Sequence, residues 1–538
     1  MSLEIGKVLG TVDAQPLEFW VAAPADEIVQ LDDVVLVRRT LADGRLVSLY
    51  GIVDAVAARH EGARLESDVF LADQGLLPLT HAVKAHVTVT RVEPEIFVPP
   101  LPGQPVFRAS GADRDRALFF DSMTRRFPLG LARDGEIVHG NFEFLDGTRG
   151  AHVNISGVSG VATKTTYATF LLYGIFHSDL LGADSINTRV VIFNVKGEDL
   201  LFLDQPNRSL TPEAEVMYHR LGLQPGPFDS VALFAPVRRD EQVLIPDTSA
   251  RASGVGSYCW SIDEFCAGRY LRFLFAEADE ETSHLASVID RVESHLAREE
   301  SARSCLDFDD LVEHIGANLD VWAQAAAAGT RAAFLRRLEA AAARVGHLVR
   351  GRIEDPARHR IDWKREQVTV IDIHNLHDRA KRFVIGVVLK RMFEEKEKLG
   401  TARPLVFCVL DELNKYAPRQ GWSPIQEVLL DISERGRSLG VILIGAQQTA
   451  SQVERRVVAN SAFRVVGRLD SAEAQQGEYG FLPPSSRARA GILKPGTVIV
   501  SQPEIPVPLL VQFPFPAWAT RPGEARVASA ADDPFRGF

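Results

Sequence analysis

Lys164, Thr165 and Thr166 close the segment Ile155 to Thr166, ISGVSGVATKTT, and are the residues whose types and order most clearly suggest chemistry. The apolar lead-in His152-Val153-Asn154-Ile155 precedes the segment, and a helix-like run from Tyr167 to Phe176 follows it. Strand, loop and helix in that order can cradle phosphates. The small residues Gly157, Ser159, Gly160, Val161, Ala162 and Thr163 let backbone N–H groups turn inward. Lys164 then reaches the outer phosphate oxygens, and the Thr165 hydroxyl, with Thr166 beside it, can hold magnesium. The helix N-terminus adds partial positive charge. The spacing departs from the usual phosphate loop: Gly157 lies seven positions before Lys164, and Thr163 stands where the second glycine is expected. A plain strand-to-helix turn of small residues is the alternative.

A second group strengthens the phosphate reading. The apolar run Leu405 to Leu410 ends in Asp411-Glu412. An aspartate at a strand tip can hold magnesium, and the adjacent glutamate can polarise the water that attacks a γ-phosphate. Asp372 ends a similar run but has no neighbouring glutamate, so it ranks below Asp411. About thirty-five residues after Glu412, another apolar run ends in Gln447-Gln448. An uncharged amide there, for which Gln448 is the candidate, can sense the γ-phosphate or orient water. Loop, acids and glutamine in this order predict an NTPase that uses Mg2+.

These residues need an open α/β sheet to position them. Apolar runs at 189–195, 368–373, 405–410, 440–446 and 463–467 alternate with helical segments, which predicts a mainly parallel sheet. Polar residues Lys196-Gly197-Glu198-Asp199 end the first of these runs, at the edge where such sheets bind ligands. From Asp263 to Arg350 the pattern turns helical, with Leu285, Val288, Ile289, Val292 and Leu296 on one stripe. Short β-branched segments from Ile5 to Glu95 suggest a small β-barrel, and prolines 94, 99, 100, 102 and 105 read as a stiff linker. The expected organisation is a barrel over 1–95, a first part of an ATPase core over 96–262 and a helical insertion over 263–350. A second part of the core over 351–512 and a C-terminal tail over 513–538 complete it.

With 538 residues the chain exceeds one hydrophobic core, so two or three domains are expected. A formal net charge of −11 argues against a protein that coats nucleic acid with its whole surface, yet leaves room for a local basic channel. The basic residues Arg350, Arg352, Arg358, Arg360, Lys364 and Arg365 read first as a solvated face. The four cysteines lack paired metal-ligand spacing, so neither zinc nor disulfides are expected. No apolar stretch suits a membrane span and no signal peptide is visible, so a cytoplasmic protein without membrane contact is expected.

The segments YGIVDAV, ISGVSGVATKTT, VKGE, VLDELNKYAP, ERGRSLGVILIGAQQTAS and FRVVGRL resemble the HerA family of hexameric DNA-pumping ATPases, relatives of FtsK. The resemblance spans nearly the whole chain and implies ATP as the nucleotide and a RecA-like P-loop core with a helical insertion and an N-terminal barrel. It implies that Lys164 and Thr165 bind phosphate and magnesium, that Asp411 and Glu412 form the Walker B pair, and that Gln448 is the polar sensor. Arg149, and Arg435 and Arg437 as candidates, would act on a neighbouring subunit's nucleotide, with a surface ion pair as the alternative reading of each. The implied assembly is a homo-hexamer that threads double-stranded DNA toward a NurA-like nuclease on the barrel, in end resection during double-strand-break repair. The tail, with its FPFPAW segment, would brace a neighbour as in relatives, while its proline and aromatic content equally suits simple packing. Two other functions stay open: a defence ring carrying another effector, and a nucleotide-binding scaffold.

Overall fold

A computed structural model describes residues 3–24, 26–63, 65–77, 80–158, 164–239, 243–251, 253–275, 283–351 and 353–525. The expected loop residues Ser159, Gly160, Val161, Ala162 and Thr163 lie outside these ranges, as does Arg352. The chain divides into two compact units, Met1–Phe142 with Val465–Gln512, and Glu143–Arg464 with Phe513–Phe538.

In the first unit six antiparallel strands close a barrel in the order Glu4–Val8, Glu18–Ala23, Thr80–Glu93, Leu46–Glu61, Val34–Thr40 and Pro105–Arg108. Alternation along the strands turns Ile5, Val21, Val35, Leu49, Val87 and Val106 into a fully buried core. The barrel thus extends past residue 95 into the expected linker. Pro105–Arg108 pairs with both Glu4–Val8 and Val34–Thr40, which leaves neither strand with an open edge. Pro105 is tolerated because it is the first residue of its strand. The same unit holds the hairpin of Arg126–Leu131 with Ile137–Asn141 and the pair Thr497–Ser501 with Leu509–Gln512. Both had been expected in the ATPase core.

The second unit carries seven parallel strands among its described residues. Their order is Gly256–Tyr258, Val231–Pro236, Val368–Asp372, Arg189–Asn194, Val406–Asp411, Val441–Gln447 and Val153–Ser156. The central strands are covered on both faces, which is why they read as near-continuous apolar runs rather than as alternation. Helix Pro424–Leu439 starts on a Ser423 cap and stops at Gly440, whose φ is +69°. A Cβ at Gly440 would sit 1.9 Å from the Ala402 carbonyl oxygen, so only glycine turns the chain into the Val441–Gln447 strand there.

The segment expected as a helical insertion carries the helices Ile262–Ala267, Ser283–Leu296, Phe308–Trp322 and Ala328–Val345. Its ends meet in a two-stranded parallel pair, Trp260–Ser261 with Val349–Arg350, so the insertion leaves and rejoins the core at one place. Leu285, Val288, Ile289, Val292 and Leu296 are buried as their spacing predicts, in one apolar cluster with the sheet helices.

Candidate functional site

Strand register brings polar ends together along the carboxyl edge of the parallel sheet. Asn194 lies opposite Asp372, Asp411 opposite Ala446, and Gln447 opposite Ser156. The strand feeding the expected phosphate loop and the strand ending in the acid pair are separated by the one that ends in Gln447. Helix Lys164–His177 begins beside this edge and is apolar along most of its length, so burial holds it in place.

Lys164 is 5 % exposed, and its Nζ donates to the Gly157 carbonyl oxygen at 2.9 Å. Burial pushes its ammonium down to about 8; Asp411 and Glu412 oppose that shift, and Lys196 adds to it. The Thr165 hydroxyl donates to Asp411 Oδ2 at 3.2 Å, which joins the loop helix to the acid strand. Lys196 Nζ sits 3.2 Å from Asp411 Oδ2 and 3.5 Å from Glu412 Oε1. Lys415 holds the other Glu412 oxygen at 2.6 Å. Burial raises the Glu412 carboxyl, but the Lys415 and Lys196 ammonium groups outweigh it and leave its pKa below the ordinary value. Glu412 adopts a left-handed φ of +57°, and its N–H donates to Asp411 Oδ1 at 2.7 Å. A non-glycine residue in that region is uncommon and marks a turn fixed by its surroundings.

A cleft of about 290 Å3 opens over Lys164, Thr165, Lys196 and Asp411, while Glu412 is not among its lining residues. Lys164, Thr165, Thr166 and Asp411 line it with Asn194, Lys196 and Asp199 from the next strand end, and with Pro516, Trp518, Thr520 and Arg521 from the tail. The residues fit a nucleotide with magnesium: a buried cation at a helix start, a hydroxyl touching a strand-tip carboxylate, and a second carboxylate beside it. Thr165 and Asp411 would hold the metal.

Several expected residues lie elsewhere. Gln447 is fully buried, and its amide donates to Asn154 Oδ1 at 2.8 Å and Ser156 Oγ at 2.9 Å, so it pins the phosphate-loop strand to its neighbour. Gln448 is exposed just beyond that strand and is absent from the cleft lining. Asp372 is buried and bound by His374 Nδ1 and the Asn194 amide, each at 2.8 Å, so the rival acid serves a local network. Arg149 stacks on Phe144 and lies 3.7 Å from Glu143. Arg435 pairs with Glu397 and Asp431, and Arg437 donates to the carbonyl oxygens of Gly147 and Thr148 at 3.0 and 2.8 Å. None of the three arginines lines the cleft. In the basic segment, Lys364 pairs with Glu395 and Arg360 with Glu264, which makes them ordinary ion-paired surface residues.

Sequence reasoning missed the bridging role of Lys196, although the strand-end segment holding it stood out. It left the role of the tail open. Phe513 packs on Tyr167 and Phe170, and Trp518 on Tyr173, so the FPFPAW stretch packs on its own chain, the second of the two readings its composition allows. Proline and aromatic content suits either role, and only contacts separate them. Among the described residues no helix is long and apolar enough to cross a membrane.

No protein-family model matches the chain, and no curated protein sequence matches it. Among solved structures, VirB4 of Thermoanaerobacter pseudethanolicus aligns at 15 % identity and a TM-score of 0.44, over 72 % of this chain and 96 % of that one. The plasmid coupling protein TrwB in complex with ADP and Mg2+ aligns at 14 % identity and a TM-score of 0.47, over 76 % and 95 %. The genome packaging NTPase B204 of Sulfolobus turreted icosahedral virus 2 aligns at 13 % identity and a TM-score of 0.21, over 28 % and 69 %.

Proposed function

We propose that the chain is an ATPase of the RecA-like P-loop type that assembles as a homo-hexamer and drives double-stranded DNA through its ring. The observation that carries the ATPase reading is the convergence of Lys164 and Thr165 with Asp411, from segments distant in sequence, on one cleft at the carboxyl edge of a parallel sheet, where Lys196 links Asp411 to Glu412. Lys164 binds the outer phosphates and neutralises charge that grows during transfer, where a buried cation acts more strongly than one in water. Glu412 orients the attacking water and accepts its proton. Lys196 leaves the acid pair when phosphates enter, since both seek the same cation. Magnesium held by Thr165 and Asp411 supplies further charge neutralisation on the phosphate oxygens.

The DNA-driving part rests on the quoted motifs that resemble the HerA family, as does pairing with a NurA-like nuclease in end resection. Arg149, Arg435 and Arg437 act on a neighbour's γ-phosphate in this reading, and Gln448 senses it. Their absence from the cleft of their own chain is compatible with action between subunits. Phosphate turnover measured with and without linear duplex DNA tests the motor. DNA should raise wild-type turnover, and Lys164→Ala should lower it by about a hundredfold or more. Turnover that ignores DNA contradicts a translocase and leaves a scaffold ring.

A further inference from the structure

The phosphate-binding groups account for only part of the cleft. Pro516, Trp518, Thr520 and Arg521 also line it, together with Asp199 and Leu200, and no phosphate motif includes them. This tail is fastened to the helix that starts with Lys164. Phe513 meets Tyr167 and Phe170 with ring centroids 5.0 and 5.8 Å apart, and Trp518 meets Tyr173 at 5.0 Å. A second fastening comes from the loop at 205–207: the Asn207 amide donates to the Pro516 carbonyl oxygen at 2.9 Å, the Asn207 N–H to Ala517 at 2.9 Å, and Ala519 N–H to the Gln205 carbonyl oxygen at 2.8 Å. One helix therefore sets the spacing between the phosphate lysine and the tail.

The chemistry of these lining residues suits a nucleoside. Trp518 is fully buried, yet its indole N–H has no acceptor among the described residues, whereas a buried indole N–H usually finds one. That N–H is closed off from the cleft, so Trp518 serves as apolar support for the tail and not as a donor to a ligand. The Arg521 side chain is 71 % exposed and held by an ion pair with Glu524 at 3.6 Å, a weak surface contact that a base stacking on its planar guanidinium can replace. Asp199 is exposed at the cleft and can accept hydrogen bonds from ribose hydroxyls.

We propose that Pro516 to Arg521 forms the nucleoside-binding half of the cleft, in the same chain as Lys164, with Arg521 over the base and Asp199 on the ribose hydroxyls. This rests on the nucleotide reading above and adds where the nucleoside binds. The test is calorimetric titration of the full chain with magnesium ATP, magnesium 2′-deoxy-ATP and magnesium tripolyphosphate. Arg521→Ala should weaken ATP about three- to tenfold and leave tripolyphosphate unchanged. Asp199→Asn should narrow the gap between ATP and 2′-deoxy-ATP, while Lys164→Ala should weaken every ligand. Trp518 stays intact, because its removal would open the aromatic packing. Arg521→Ala with equal losses on ATP and tripolyphosphate, or with none, overturns the inference. Wild-type protein that holds tripolyphosphate as tightly as ATP overturns it too, while sparing the phosphate site. Wild-type protein that binds none of the three overturns the NTPase reading and this inference with it.

Discussion

Burial sets the working range of Lys164. Its ammonium loses its proton at about 8, well below an ordinary lysine, while a bound phosphate must raise that value because it favours the charged form. Affinity for ATP is therefore fully present below pH 8 and declines as pH rises above it, with proton uptake on binding in that window. Calorimetry between pH 7 and 9.5 in two buffers of different ionisation enthalpy checks this, and Lys164→Arg, which stays charged, should flatten the dependence. A flat wild-type profile contradicts the buried-lysine account. The residues that make this argument were legible early: Lys164 and Thr165 by their place before a helix, Asp411 and Glu412 by ending a fully apolar strand. Lys196 was visible but without a role, since its contact with the acids depends on which strands are neighbours. Gln447 and Gln448 could not be separated by type, and only the end of the strand shows that the first is buried and the second exposed.

At the level of elements, the phosphate-loop strand depends on His152. Its φ is +68°, its side chain is buried, and its Nδ1 accepts the Leu443 N–H at 2.9 Å, which joins it to the strand ending in Gln447. Burial holds this imidazole neutral, with a pKa of about 4 in the fold against 6.5 for the free side chain. Below pH 6.5 the unfolded chain takes up the proton first, so stability falls as pH drops and the loss is complete near pH 4. The total is about 3 kcal/mol. Urea midpoints for wild type and His152→Gln should diverge least near pH 4 and most above pH 6.5, and a difference that stays constant between pH 7 and 4.5 contradicts this role. The core strands were legible because burial on both faces leaves continuous apolar runs. The sixth barrel strand was not, since four residues starting with proline inside a proline-rich stretch carry no strand signal.

For the whole molecule, the discontinuous make-up of both units was the least legible feature. Val465–Gln512 joins the unit of the N-terminal barrel, where Leu509–Gln512 pairs with Arg126–Leu131, and Phe513 onward returns to the parallel-sheet unit, so spatial neighbours and not chain order decide membership. Tail residues more than three hundred positions after Lys164 thus line the same cleft, a relation no local pattern encodes. In the proposed function all of these parts serve one catalytic cycle, and Glu412→Gln should interrupt it most directly: the amide keeps the shape of the side chain but cannot accept the proton. The decisive measurement incubates wild type, Glu412→Gln and Lys164→Ala with labelled ATP and magnesium, then assays retained nucleotide and released phosphate. Wild type should release phosphate, Glu412→Gln should retain uncleaved ATP, and Lys164→Ala should do neither. Hydrolysis by Glu412→Gln at the wild-type rate would contradict the assignment of this cleft as an ATPase centre.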